Sequence, residues 1–165
     1  MPALNRFLKN HWPIAFLTFI SLVIFLTNYV PGTYLLGWDN TVPELNLFLN
    51  LKRVLSGVWQ EYRGLGTLDG MSHTANIVHW AYIALLSLVL PANIVRYAFI
   101  LLSHLVGGVG VYYLIKKEIL PTLIKKGRDN FKLISLIGAL IYQLNFMTVQ
   151  MFYVPLELFV IHFAI

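Results

Sequence analysis

The amino-acid sequence predicts an all-α protein, a polytopic bundle of transmembrane helices with an amphipathic interfacial helix in its first large loop. Three observations support this fold class. Of the 165 residues, 58% are hydrophobic and only 12% are charged, and the mean hydropathy is +0.71. Apolar residues form runs close to the roughly 20 residues that a helix needs to cross a bilayer. The basic residues cluster mainly between these runs.

Charge and cysteine content exclude two other classes of protein. The net charge of +5 is spread over clusters between apolar runs, so nucleic acid is not the expected partner. Lipid headgroups are the expected counterions. The chain has no cysteine, which excludes disulfides and thiolate metal sites.

Four apolar segments are long enough to be predicted as membrane spans, because a helix pairs its backbone groups internally where water is absent. A fifth segment begins near residue 156. The first span opens with Pro13 at a first helical position. The spans cover residues 13–30, 75–90, 94–115 and 133–154.

Two of these spans have features of their own. Only the turn Pro91-Ala92-Asn93 separates the second span from the third, which predicts a tight hairpin. The fourth span contains Gln143, Asn145 and Gln150, whose side chains we expect to face neighbouring helices or a cavity rather than lipid.

Both ends of the chain bear on its classification. Arg6 and Lys9 precede the first apolar run, as in a signal peptide, but residues 28–31 lack the small-residue cleavage pattern, which favours a span. The sequence stops inside an apolar run at Ile165. We therefore expect residues 1–165 to form a single transmembrane domain, the N-terminal part of a longer protein.

The loop after the first span contains a predicted amphipathic helix. Thr41 and Glu44 fit a capping box, and Gly57 is a natural end. An apolar stripe on such a helix favours a place in the membrane interface, with packing on the rest of a longer protein as the alternative. The predicted apolar face consists of Leu47, Phe48, Leu51, Val54 and Leu55, with Asn46, Asn50 and Arg53 opposite.

The loop at residues 116–132 carries six of the twelve basic residues, and its stretch 119–126 is a predicted interfacial segment broken at Pro121. If residues 75–115 form a transmembrane hairpin, this loop shares a side with residues 31–74. That side then holds nine Lys and Arg against three, which favours an external N-terminus. The basic flank of the first span favours the opposite orientation, so charge alone leaves it open.

A series of short motifs supplies a family resemblance. After a basic N-terminus and one span come Gly37-Trp38-Asp39-Asn40, Pro43-Glu44, Trp59, Gly64-Leu65-Gly66, Leu90-Pro91 and Gly107-Gly108-Val109-Gly110. This order resembles the N-terminal module of the GT-C superfamily of membrane glycosyltransferases, particularly the YfhO-like and arabinofuranosyltransferase-like branches.

The resemblance implies an enzyme that transfers a sugar from a polyprenyl-phosphate-linked donor to an envelope glycan, glycolipid or protein. It also implies a multi-pass protein of the bacterial plasma membrane with a cytoplasmic N-terminus, although the basic loop at 116–132 then lies on the side that the charge rule disfavours. Without its later spans the chain alone is expected to be inactive.

The first large loop contains the predicted site. The resemblance implies an acidic catalytic residue there, and Asp39 would act as general base toward the acceptor hydroxyl. Lys52, Arg53 and Arg63 would bind the donor by stabilising its phosphate. The alternative for Asp39 is that it is a turn residue. The alternative for Lys52 and Arg53, on the amphipathic helix, is that their charged groups extend toward lipid headgroups.

The sequence supports no metal site and names no cofactor. Asp69 and His73 are four residues apart, but Gly70 favours a loop and two ligands are too few. The histidines within apolar runs, His79, His104 and His162, are expected to be buried and hydrogen bonded. The glycines 107, 108 and 110 predict close packing of helices.

Two other functions remain open. A transporter or lipid flippase would use Gln143, Asn145 and Gln150 to line a path for its substrate. A non-catalytic scaffold would only pack against other membrane subunits.

Overall fold

The structure is a computed structural model that describes residues 2–35, 45–56, 59–60, 65–68, 77–124 and 130–149. These residues are helical, apart from connecting turns and one ladder of two residues on each strand. The fold class is therefore all-α. The chain divides into two compact units, one of Met1–Pro31 with Ile100–Ile165 and the other of Gly32–Phe99. We call them the long-helix unit and the inserted unit.

The elements follow one another along the chain as helices with the short ladder between the second and the third. In order they are α1 (Pro2–Asn28), α2 (Leu47–Ser56), β1 (Trp59–Gln60), β2 (Thr67–Leu68), α3 (Ile77–Ser87), α4 (Ala92–Leu114), α5 (Leu120–Leu123), α6 (Phe131–Leu144) and α7 (Phe146–Val149).

Two helices of the described residues are long and apolar enough to cross a membrane, at His11–Asn28 and Ala92–Leu123. They correspond to the first and third predicted spans. Helices α3 and α6, within the second and fourth predicted spans, are shorter. Their eleven and fourteen residues give lengths of about 16 Å and 21 Å, against a hydrocarbon core of about 30 Å. The predicted fifth span lies outside the described residues.

Helix α1 begins earlier than predicted. Pro13 lies inside it and is fully buried, so the prediction that Pro13 is the first helical residue is wrong. Pro2 stands at the start instead. The backbone angle of proline is compatible with a helix, and the ring removes one hydrogen bond, which a long helix tolerates.

Helix α4 continues past its predicted end. A π-helical turn at Ile115–Ile119 joins it to α5, so the helix runs through Pro121 and the predicted break there is wrong. In the π turn the amide of Leu120 donates to the carbonyl of Ile115. The wider turn precedes Pro121, which stands in the first turn of α5, where a missing amide proton costs least.

The connection between α3 and α4 is short, as predicted, although it lies slightly earlier. Residues Leu88 and Val89 form the turn, and the carbonyl of Pro91 accepts hydrogen bonds from the amides of Ile94 and Val95 at 2.9 and 3.3 Å. Proline thus stands just before the first residue of α4, where its missing amide would have no partner.

Helix α6 ends inside the fourth predicted span. Asn145 has extended backbone, and the short helix α7 begins at Phe146. The side-chain carbonyl of Asn145 accepts a hydrogen bond from the amide of Thr148 at 3.2 Å, so Asn145 caps the new helix.

The core of the long-helix unit contains residues of α1, α4 and α6. Its buried members are Leu17, Tyr112, Leu136 and Ala139. Two of the three predicted packing glycines meet α6, since a methyl group on Gly107 would overlap the Tyr142 ring and one on Gly108 the Gln143 side chain. The third, Gly110, meets nothing within 4 Å.

The three helices of this unit alternate in direction. Ser21 of α1 lies beside His104 of α4, whereas Ile14 lies farther back along α1 and packs against the cluster that contains Tyr112. Advancing along α1 therefore means going backward along α4, so the two are antiparallel. Helix α6 runs with α1, because Gln143 lies beside Ser21 and Leu136 shares the cluster with Leu17.

In the inserted unit, α2 packs on α3 and the two-residue strands form an antiparallel ladder. The indole Nε1 of Trp80 donates to the carbonyl of Leu47 at 2.9 Å. In the ladder Trp59 pairs with Leu68. Gly66 has φ of +93° directly beneath the Trp59 ring, a position that requires glycine.

Candidate functional site

The predicted site residues are only partly described. Lys52 is exposed and Arg53 is half-buried, and both lie on α2. Asp39 and Arg63 lie outside the described residues, as do the predicted capping box at Thr41 and Glu44 and the pair Asp69 and His73. Their predicted roles stay predictions.

Helix α2 exists as predicted but begins later and turns a different face inward. Asn46 is its N-cap, since its side-chain oxygen accepts from the amide of Leu49 at 3.0 Å. Asn50 is 3% exposed and Val54 is fully buried, whereas Phe48 is 81% exposed. The prediction that Asn50 lies on the outer face is wrong. Packing of α2 on α3 selects residues 47, 50 and 54 for the inner face and leaves two large apolar side chains, Phe48 and Leu55, outside.

A buried cation stands beside an apolar cavity in the inserted unit. Arg96, near the start of α4, is 7% exposed, and its Nη1 donates to the carbonyl of Leu35 at 3.2 Å. The cavity has a volume of about 150 Å³. Apart from Arg96 and Ser87 its walls are apolar, formed by Leu45, Leu47, Ile83, Leu90, Ala92 and Val95.

The described residues on either side of Asp39 both lie at this site. Leu35 accepts the hydrogen bond from Arg96, and Leu45 lines the cavity. Asp39 lies between these two residues in the sequence, outside the described part of the chain.

Arg96 was missed as a site residue in the sequence prediction. A signal was present, because a lone arginine four residues inside an apolar helix is costly unless it faces protein or a polar ligand.

Three buried polar residues of the long-helix unit form a hydrogen-bonded network. Ser21, His104 and Gln143 are each 0% exposed and come from α1, α4 and α6. Ser21 Oγ lies 2.9 Å from His104 Nδ1, His104 Nε2 lies 3.0 Å from the backbone oxygen of Gln143, and Gln143 Nε2 donates to Ser21 Oγ at 3.0 Å. The expectation that His104 is buried and hydrogen bonded is confirmed.

The network has one consistent assignment of protons for a neutral imidazole. A backbone carbonyl only accepts, so His104 Nε2 carries the proton and Nδ1 accepts from the Ser21 hydroxyl. The carbonyl that His104 caps is one of those left unpaired at the end of α6. This network links the three helices. It uses the backbone oxygen and Nε2 of Gln143, so that only Oε1, which has no partner among the described residues, is left to line a transport path.

His79 is also buried, and its ring lies 4.7 Å from that of Phe99 between the centroids. Asn145, expected to face protein or a cavity, is exposed, because it caps a helix instead. Among the described residues no group of three His, Cys, Asp or Glu side chains is placed to hold a metal ion.

Comparisons with protein-family models, with curated proteins and with solved structures give no match to this chain.

Proposed function

We propose that this chain is a multi-pass integral membrane protein and that it forms the N-terminal membrane module of a glycosyltransferase. The membrane part of the proposal is supported by the outer surface of the long-helix unit. Ser21, His104 and Gln143 lie in its interior beside the apolar cluster, whereas many large apolar side chains are exposed. On α1 and α6 these include Phe16, Phe19, Leu26, Leu133, Ile137 and Ile141. Water-soluble proteins bury such side chains, but a bilayer solvates them.

The directions of the helices suggest a topology that differs from the sequence prediction. Because α1 and α4 are antiparallel, Asn28 and Ile100 lie at the same end of the long-helix unit. If α1 and α4 each cross the bilayer, residues 32–99 must begin and end on one side of it. The described helices wholly inside this segment have ten and eleven residues, too few to span a bilayer alone. We therefore assign residues 32–91 to one side, with no transmembrane hairpin at 75–90.

This topology removes the conflict between charge and orientation. The N-terminus and the loop at 116–132 now share a side, which carries eight of the twelve Lys and Arg, and residues 32–99 carry four. The positive-inside rule then assigns the N-terminus and the basic loop to the cytoplasm. The same orientation follows from the resemblance to GT-C enzymes.

Labelling of single cysteines tests the topology, since the natural chain has none. The exposed positions are Tyr34, Leu88 and Glu118, each replaced in turn by cysteine. We expect an impermeant maleimide to label Tyr34→Cys and Leu88→Cys on intact cells, and Glu118→Cys only after permeabilisation. A transmembrane hairpin predicts the reverse for Leu88→Cys and Glu118→Cys, and that result would overturn the assignment.

The enzymatic part of the proposal depends on one observation, the buried guanidinium of Arg96 beside an apolar cavity. A polyprenyl-phosphate sugar has an apolar tail joined to an anionic phosphate. A buried arginine suits the phosphate, because it forms charge-assisted, bidentate hydrogen bonds with it. The apolar wall suits the first units of the tail. Asp39 then serves as general base for the acceptor hydroxyl, and Lys52, Arg53 and Arg63 add positive charge around the leaving phosphate.

The test separates binding from transfer. Polyprenyl monophosphate is titrated against the protein in nanodiscs, and bound lipid is counted by native mass spectrometry. We expect Arg96→Gln to weaken binding at least tenfold, while the control Lys117→Gln, an exposed lysine remote in sequence from the site, leaves it unchanged. Equal binding by wild type and Arg96→Gln refutes the phosphate site.

Transfer is then measured in the full-length protein with radiolabelled polyprenyl-phosphate sugars. Asp39→Asn is expected to lower the rate by about 10²- to 10⁴-fold without changing lipid binding. Normal transfer by this variant would remove Asp39 from the mechanism.

A further inference from the structure

A second cavity, in the long-helix unit, is bordered by basic and aromatic side chains and has no assigned role. Its lining residues are His11, Ile14, Tyr112, Tyr113, Lys116 and Lys132, and its volume is about 290 Å³. The residues come from α1, from the end of α4 with the π turn, and from the start of α6. No acidic side chain is among these described lining residues.

If α1 crosses the bilayer as proposed, the cavity lies near the level of the lipid phosphates. His11 is the first residue of the apolar segment of α1 that can cross a bilayer, so it marks the edge of the hydrocarbon. Lys116 follows the last residue of α4 by two positions, and Lys132 is the second residue of α6. Three helices therefore bring a basic residue to the level where their apolar stretches begin or end.

The side chains around the cavity are held in a defined arrangement. The ammonium group of Lys116 lies 5.2 Å from the centre of the Tyr112 ring, within the range of a cation–π interaction. Tyr112 is 1% exposed, and its hydroxyl has no hydrogen-bond partner among the described residues. A buried hydroxyl without a partner is destabilising, and a phosphate oxygen beside it would supply the missing acceptor.

We propose that this cavity binds the phosphate of an anionic phospholipid, with Lys116 and Lys132 as the charged contacts and the Tyr112 hydroxyl as a hydrogen-bond donor. The acyl chains of the lipid lie along the exposed apolar side chains of α1 and α6, such as Phe16 and Ile134. In the topology proposed above, the site faces the cytoplasmic leaflet. The anionic lipids of that leaflet attract basic side chains.

The chain offers a matched control for the charge. Lys117 is the neighbour of Lys116, is exposed, and lies 5.0 Å from the centre of the Tyr113 ring, but it does not line the cavity. Lys116→Gln and Lys117→Gln change the net charge equally. A non-specific attraction to a charged membrane would be weakened by both substitutions, whereas lipid binding in the cavity is weakened only by Lys116→Gln.

The experiment uses the protein in nanodiscs of phosphatidylcholine with increasing fractions of phosphatidylglycerol, with bound lipid counted by native mass spectrometry. We expect wild type and Lys117→Gln to retain one phosphatidylglycerol. Lys116→Gln and Lys132→Gln should each weaken its binding about fivefold, and Tyr112→Phe should weaken it severalfold with the charge unchanged.

Three outcomes would overturn the proposal. The first is an equal effect of Lys116→Gln and Lys117→Gln. The second is no preference of wild type for phosphatidylglycerol over phosphatidylcholine. The third is displacement of the lipid by millimolar inorganic phosphate, which would identify a site for free phosphate. If Lys132→Gln fails to fold, Lys116→Gln and Tyr112→Phe decide the question.

Discussion

Replacement of Gly108 by alanine tests the packing of α4 on α6. A methyl group at this position overlaps the Cγ, Cδ and Nε2 atoms of Gln143. Gly110 lies on the same helix two residues later, where a methyl group meets nothing within 4 Å. The two glycines are therefore a matched pair, because alanine improves the intrinsic helix propensity of both by about 1 kcal/mol.

The expected magnitudes follow from these contacts. Overpacking against Gln143 costs about 1–3 kcal/mol. Displacing the Gln143 side chain also weakens its hydrogen bond to Ser21, and such bonds contribute about 0.6 kcal/mol on average between membrane helices. We expect Gly108→Ala to be less stable than Gly110→Ala by about 2–4 kcal/mol.

Unfolding in mixed micelles with increasing denaturing detergent, followed by circular dichroism, measures this difference. A double-mutant cycle with Gln143→Ala supplies the control. Removing the Gln143 side chain, which the added methyl group overlaps, should abolish most of the stability penalty of Gly108→Ala. The reasoning is refuted if Gly108→Ala and Gly110→Ala shift the midpoint alike, or if the penalty survives in the Gln143→Ala background.

Three further predictions concern polar contacts of the helices. His104→Leu removes the donor to the Gln143 carbonyl and the acceptor of the Ser21 hydroxyl proton, so we expect a loss of about 1–3 kcal/mol in the same unfolding assay, and an unchanged midpoint would show that the network does not stabilise the fold. Asn46→Ala removes the N-cap of α2 and should cost about 1 kcal/mol, whereas Asn46→Asp should retain most of the stability; equal stability of the two variants would contradict the cap. Trp80→Phe keeps an aromatic ring but loses the donor to the Leu47 carbonyl, and hydrogen exchange at the first turn of α2 should then become faster, which a purely apolar contact would not predict.

The long apolar helices were predictable because hydropathy and length are properties of a continuous stretch of chain. The predicted span at 13–30 overlaps α1, and the predicted span at 94–115 overlaps α4. The short connection before α4 was expected from Pro91. Pro13 and Pro121 were misjudged for one reason. Proline disfavours a helix interior locally, but a long apolar helix and a π turn accommodate it when the surrounding segment is stabilised elsewhere.

The inward face of α2 could not be read from its own sequence. Its apolar residues define a broad stripe, and only the contact with α3 decided that Asn50 lies inside and Phe48 outside. The site was limited in the same way. The sequence singled out Asp39, whereas Arg96 became a candidate only through its burial beside a cavity and its hydrogen bond to Leu35, 61 residues away.

The sequence by itself determined that the described residues are mainly helical, that two segments are long and apolar enough to cross a bilayer, and that His104 would be buried and hydrogen bonded. Tertiary structure alone decided the relative direction of α1, α4 and α6, because that depends on which residues meet across 83 and 122 positions of chain. Hydropathy reports how apolar a segment is, but it carries no information on the partner that the segment meets.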